Sequence, residues 1–146
     1  MSRPTLPDAY IEHDAPDPWG AVQFLATARK LSGDAANEDT SPEGRQILVH
    51  TAVMTATDAL LAIYGQKVVG SEGGHRLRLD TAASMLPGHD ELFDQLDEVR
   101  VRRHQASYAA AFVELADLKE ALSAAADFIA LVDDEVQPQL PKHFEE

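Results

Sequence analysis

No cysteine occurs among the 146 residues. That excludes a disulfide framework, a thiolate zinc site and a cysteine nucleophile, and it fits a reducing compartment. Basic residues are scarce: 12 Lys and Arg stand against 25 Asp and Glu, a net charge of −13. Such a surface repels polyanions, so it argues against broad coating of nucleic acid or anionic membrane, and any nucleic-acid site must be a local basic spot. Long apolar runs are missing as well. The longest are interrupted by His50, Asp58 and Asp127, and none is expected to offer the ~20 residues of a membrane span. The start, Met1-Ser-Arg-Pro-Thr-Leu-Pro, has prolines where a signal peptide needs an apolar stretch. The expectation is a soluble cytoplasmic protein with no membrane partner. No Gly-x-x-x-x-Gly-Lys-Ser/Thr pattern is present, which removes ATP hydrolysis of that kind. Glu72-Gly73-Gly74-His75 matches the Glu-x-x-His of di-iron bundles. That site needs a second copy and two further glutamates on facing helices, and the two glycines place this one in a loop. No metal and no cofactor is expected.

What is present is ordinary globular material, 45% apolar and 25% charged. A chain of this length buries roughly two thirds of its unfolded surface around one core. Residues 1–17 are rich in proline and have no apolar period, so they are expected to form an extended arm, ordered only by packing on something else. Pro16-Asp17-Pro18 marks a helix start, with Asp17 as cap and Trp19, Val22, Leu25 and Ala26 as the apolar stripe, ending near Gly33. Ser41-Pro42-Glu43-Gly44 opens a second helix that runs to Tyr64-Gly65. It is apolar on two faces, which marks a central helix buried by neighbours on both sides. Residues 66–74 read as a loop, His75–Leu86 as a short helix, and His89 to about Tyr108 as a fourth helix with Leu92, Leu96 and Val99 inward. A break is expected among residues 109–112. In the last helix Leu115, Leu118, Leu122, Ala125, Ile129, Val132 and Val136 alternate steps of three and four, ending before Pro138. No stretch alternates convincingly with period two. The fold class expected is all-α: an up-and-down bundle of about five helices over residues 18–137, with 138–146 a tail.

One face of the fourth helix concentrates chemistry. At 100° per residue, Asp97, Arg100, Arg103, His104, Ser107 and Tyr108 project within a sector of roughly 140°. Arg100, Arg102 and Arg103 place three of the twelve basic residues within four positions. The ordinary reading is a solvated face whose arginines pair with Asp94, Asp97 or Glu98 at helical spacing. Arginine, histidine, serine and tyrosine together are also the groups that clamp a phosphate and shuttle a proton. Gly73-Gly74-His75-Arg76 begins a helix, where free backbone amides and a cation suit an anion; its ordinary reading is a flexible loop with a capping histidine. His50 and Asp58 read as satisfied core polar groups, with Asp58 in a position to pair with an arginine of the motif helix. Asp133-Asp134-Glu135 reads as a solvated face, unfavourably placed at a helix C-terminus.

Arg103-His104-Gln105-Ala106-Ser107-Tyr108 resembles the signature of the HEPN domain (higher eukaryotes and prokaryotes nucleotide-binding), a bundle of four or five helices. The usual pattern is an arginine, a polar residue, a few further residues and a histidine. The helix ending Asp58-Ala-Leu-Leu-Ala-Ile-Tyr64, its glycine-bearing loop and Gly74-His75-Arg76 at the next helix are similar to that family's second and third helices. The resemblance covers roughly residues 18–136. It implies a homodimer with the motif at the cleft between two copies, and metal-independent RNA cleavage in which arginine holds the developing charge and histidine moves the proton. By position, Arg103 matches the arginine and His104 the polar second residue, while Tyr108 stands where the family has histidine. A phenol of ordinary pKa about 10 is a poor base near neutrality; His104, with about 6.5, suits the role better.

The resulting expectation is a nucleotide- or RNA-phosphate-binding domain, in its catalytic form a weakened or altered endoribonuclease. Its catalytic set is Arg103, His104 and Tyr108, and its phosphate-binding set Arg100, Arg103, Ser107, His75 and Arg76. The alternative from another class is a non-catalytic module that binds a protein partner, for example within a toxin–antitoxin or defence system.

Overall fold

The computed structural model describes residues 9–70, 73–108 and 113–142, with the backbone alone for 105–108. The expected break at 109–112 lies outside the described residues. The elements in chain order are β1 (Ala9–His13), α1 (Pro18–Ala35), α2 (Pro42–Ile63), β2 (Gln66–Gly70), α3 (Gly74–Met85), α4 (Asp90–Tyr108) and α5 (Leu115–Val136), closed by a 3₁₀ turn at Gln137–Gln139. The fold is an all-α helical bundle with one two-stranded sheet at its edge.

Local chemistry sets the helix ends. Asp17 accepts a hydrogen bond from the Gly20 N–H at 2.9 Å and Ser41 from the Gly44 N–H at 3.1 Å, each followed by proline at the first helical position, where a missing N–H costs nothing. Helix α2 ends where the expected glycine takes over: Gly65 has φ +70°. A Cβ at Gly65 would collide with the Asp14 carbonyl oxygen, because residues 14–17 cross the end of α2. Asp14 N–H donates to Gly65 O at 2.7 Å and Asp17 N–H to Ala62 O at 2.8 Å.

Helix α2 is the centre. It packs against α1, α3, α4 and α5 and buries thirteen residues from Gln46 to Ile63. By length and composition it is apolar enough to cross a membrane despite His50 and Asp58, but most of it is buried inside the bundle, as befits a helix apolar on every side. Helix α5 buries Leu118, Ala125, Ile129, Val132 and Val136 of its expected stripe, but Leu115 is exposed, Leu122 is half-buried, and the largest side chain it buries is Phe128, which lies off that stripe. The Phe128 ring meets Phe93 edge-on at 5.7 Å, a favoured aromatic geometry.

Three expectations change. Residues 66–70, expected as loop, are strand β2, paired antiparallel with β1 in the register Tyr10↔Val69 and Ile11↔Val68. Five residues with one buried side chain, Val68, carry too little alternation to show the pairing; the partner strand supplies it. The inward stripe of α1 is Ala21, Leu25, Ala28 and Ala35, with Trp19 61% exposed. Small residues let α1 approach α2 closely, so size outweighs apolarity on that face. Asp133, expected to be solvated, pairs with Arg29 at 2.9 Å, and Glu135 accepts a hydrogen bond from the Tyr64 hydroxyl.

Phe128→Ala is expected to destabilise the fold by about 3–5 kcal/mol, measured by urea unfolding. A loss below about 1 kcal/mol would contradict the central position given to Phe128.

Candidate cationic cleft

Helix α3 begins at Gly73, whose φ of +76° turns the chain into the helix without a capping side chain. The first intrahelical bond runs from Leu77 N–H to Gly73 O at 2.9 Å. The amides of Gly74, His75 and Arg76 therefore have no acceptor within the helix, and the positive end of its dipole is exposed. The preferred neighbour of such an end is a carboxylate, yet no acidic residue occupies the first turn.

Cations surround it instead. Gly73, Gly74, His75 and Arg76 share a cleft of about 180 Å³ with Arg100, Arg103 and His104 of α4. This is room for a phosphate group and a few waters at about 30 Å³ each. Two stretches separated by some thirty positions thus form one site. The expected phosphate-binding set already drew on both stretches, and packing of α3 on α4 is what brings them together. The side chains of Ser107 and Tyr108 lie outside the described residues, although both belong to α4.

Carboxylates account for several of the cations. Arg100 Nε meets Asp97 at 2.8 Å, the helical-spacing pair that the ordinary reading requires. Arg102 reaches Glu98 at 3.7 Å and Asp117 at 3.5 Å, away from the cleft. Arg76 pairs loosely with Asp80 at 3.8 Å. Asp58 pairs with Arg78 of α3 at 2.9 Å, not with an arginine of α4, because α3 is the neighbour that faces its turn of α2. No ion pair among the described residues takes Arg103, and its Nε is buried without a partner.

Behind the cleft lies a feature that the sequence did not disclose. His50 is 2% exposed, its Nε2 has no partner, and its ring centroid is 4.6 Å from that of His75. One turn earlier, Gln46 is fully buried; its Nε2 donates to Val99 O at 3.4 Å, and its Oε1 has no partner. His50 was expected to be satisfied and is not. Three orphaned buried side-chain atoms are found among the described residues, on Gln46, His50 and Arg103; Arg103 lines the cleft and His50 touches His75 of its wall. Without water or a ligand to satisfy it, an orphan of this kind costs about 1–3 kcal/mol.

The imidazoles are held neutral. Burial, then the positive fields of His75, Arg103, Arg100 and Arg78, push His50 down to about 3. His75 is also lowered, by burial first and then by Arg78, Arg103 and Arg100, with Asp58 opposing. The larger grooves along α4 and α5 have the opposite character. One of about 420 Å³ is lined by Glu91, Asp94, Asp97, Glu98 and Glu120, and one of about 600 Å³ by Asp90, Asp127 and Asp134. Carboxylates exclude phosphate from both.

Fold and site together define a helical bundle with a cationic cleft at a helix N-terminus. No family model, curated protein or solved structure matches the chain, so the cleft is read from its own geometry.

The low pKa of His50 makes a stability prediction. In the unfolded chain it titrates near 6.5, so below that pH the unfolded state binds a proton that the folded state refuses. Stability is lost as the pH falls from about 6.5 towards 3, by about 2 kcal/mol at pH 5 from this residue. His50→Leu is expected to retain more of its neutral-pH stability at pH 5 than the unaltered protein does, read from urea unfolding at both pH values. Identical losses in the two proteins would remove the neutral buried histidine.

Proposed function

We propose that the chain is a phosphate-binding domain for a nucleotide or RNA, with the cleft between α3 and α4 as its site. One observation carries the reading. An uncapped helix N-terminus, where an anion is the favoured neighbour, is ringed by Arg100, Arg103, His75 and Arg76 in a protein of net charge −13. Backbone amides and a dipole end make a ready anion seat, and arginine adds a forked, permanently charged donor. The resemblance to HEPN domains points to the same ligand class. A weakened metal-independent endoribonuclease is its catalytic form: Arg103 would hold charge on the phosphate, and His104 or His75, both at the cleft, would move the proton. The homodimer belongs to this proposal too, and light scattering at tens of micromolar is expected to give twice the chain mass.

The test is binding and cleavage in three proteins. Arg103→Ala is expected to weaken sulfate or mononucleotide binding about 10- to 100-fold, the value of one charge-assisted hydrogen bond. Its stability should hold within about 1 kcal/mol, because the residue leaves an orphaned Nε behind in the free protein. On a labelled single-stranded RNA without added metal, cleavage that disappears with Arg103 identifies an active nuclease. Cleavage only after Tyr108→His identifies a site that lost its proton carrier, with about 10²–10⁴-fold at stake. No anion binding and no cleavage in any of the three would hand the function to the protein-interaction reading.

A further inference from the structure

We propose that the cleft is a receptor for a terminal phosphate monoester, and that His75 takes up a proton as the dianion binds. The proposal rests on the phosphate-binding reading above and narrows it to a ligand class and a linkage.

The donor count favours a monoester. The first turn of α3 presents the amides of Gly74, His75 and Arg76, and α4 adds the guanidinium groups of Arg100 and Arg103 on the facing wall. An internal phosphodiester carries one negative charge on two non-bridging oxygens. A terminal monoester carries close to two charges on three strong acceptor oxygens. A diester would leave more of these donors desolvated and unpaired, and each unpaired donor counts against binding.

The charge count agrees. His75 faces His50 and Asp58 from α2, Arg76 and Arg78 from its own helix, and Arg100, Arg103 and His104 from α4. The carboxylates nearby are engaged: Asp58 by Arg78, Asp97 by Arg100 and Asp80 by Arg76. An arriving dianion is the missing counter-charge for this cluster, and its field reverses the electrostatic bias on the imidazole nearest to it.

His50 decides which imidazole responds. It is buried and pressed against the His75 ring, with its Nε2 unpartnered. Burial is the largest cause of lowering in both imidazoles, but His50 is almost completely enclosed and does not line the cleft. His75 is exposed and lines the cleft itself. The proton therefore goes to His75, and the neutral His50 ring behind it adds no opposing charge.

Sulfate is the probe for the linkage, because it remains a dianion across the pH range used and any pH dependence belongs to the protein. Calorimetric titration at low salt is expected to show affinity rising as the pH falls on the acid side of neutrality, by at most tenfold per unit for one proton. Two buffers of different ionisation enthalpy should report net proton uptake at pH 6 in the unaltered protein. His75→Gln should bind sulfate more weakly than the unaltered protein at pH 6, with the pH dependence flattened. Affinity independent of pH, with no proton uptake, would overturn the role of His75.

The ligand class is tested with adenosine 5′-monophosphate against adenosine, and with one oligoribonucleotide bearing a 5′-phosphate or a 5′-hydroxyl. The phosphorylated member of each pair is expected to bind at least tenfold more tightly. Preference for the mononucleotide assigns the phosphate to free nucleotides, and preference for the 5′-phosphorylated oligomer assigns it to RNA ends; either supports the proposal. Equal binding of the two oligomers would overturn the terminal-phosphate assignment and leave the broader phosphate reading intact. Failure of sulfate, mononucleotide and both oligomers would overturn both.

Discussion

Because α2 is enclosed by α1, α3, α4 and α5, little of it beyond Glu43, Ile47 and Thr51 meets solvent, and its buried polar residues must find a solution inside the bundle. Thr57 bonds back to the Met54 carbonyl at 2.6 Å, a purely local answer. Gln46 uses the Val99 carbonyl of α4 and leaves one oxygen over. Asp58 lies far enough out to meet Arg78 of α3. His50 meets only another imidazole and stays neutral. Gln46, His50 and Asp58 reach across to α4 or α3, the two helices that line the cleft. The packing demand on one helix thus fixes where the start of α3 and the arginines of α4 come together.

The electrostatics of that mouth run against the rest of the molecule. Carboxylates line the α4–α5 grooves, while the α3–α4 cleft gathers guanidinium groups at a positive dipole end. Helix α4 separates the two: Glu91, Asp94 and Glu98 face one groove, and Arg100 and Arg103 the cleft. At physiological salt, fields between exposed charges fade within about 8 Å. A small anion at the cleft therefore feels chiefly the cations around it, whereas a long polyanion laid across the surface also meets the acidic flanks. A compact ligand, or the end of a larger one, suits that distribution.

The helices were legible because their signals are local. Asp17-Pro18 and Ser41-Pro42 announce two starts, and the three-and-four spacing from Leu115 to Val136 delimits α5 without help from its neighbours. The all-round apolarity of α2 announces its central place. Strand β2 was hidden because Val68 is its one buried residue, and its identity comes from a partner strand over fifty positions away. The α1 stripe was misjudged because Trp19 is the most apolar residue in view but too large for the close contact made by Ala21 and Ala28.

For the site, the sequence by itself determined the ingredients: a cluster of arginines on one face of α4, and a Gly-Gly-His-Arg helix start. Both follow from spacing along a single chain segment, which period and turn chemistry determine. Only the tertiary structure decided that these two segments form one cleft, that Asp58 answers to Arg78, and that His50 sits unpaired behind His75. Those relations depend on how rigid helices cross, and a crossing brings together residues whose separation along the chain carries no trace of the contact.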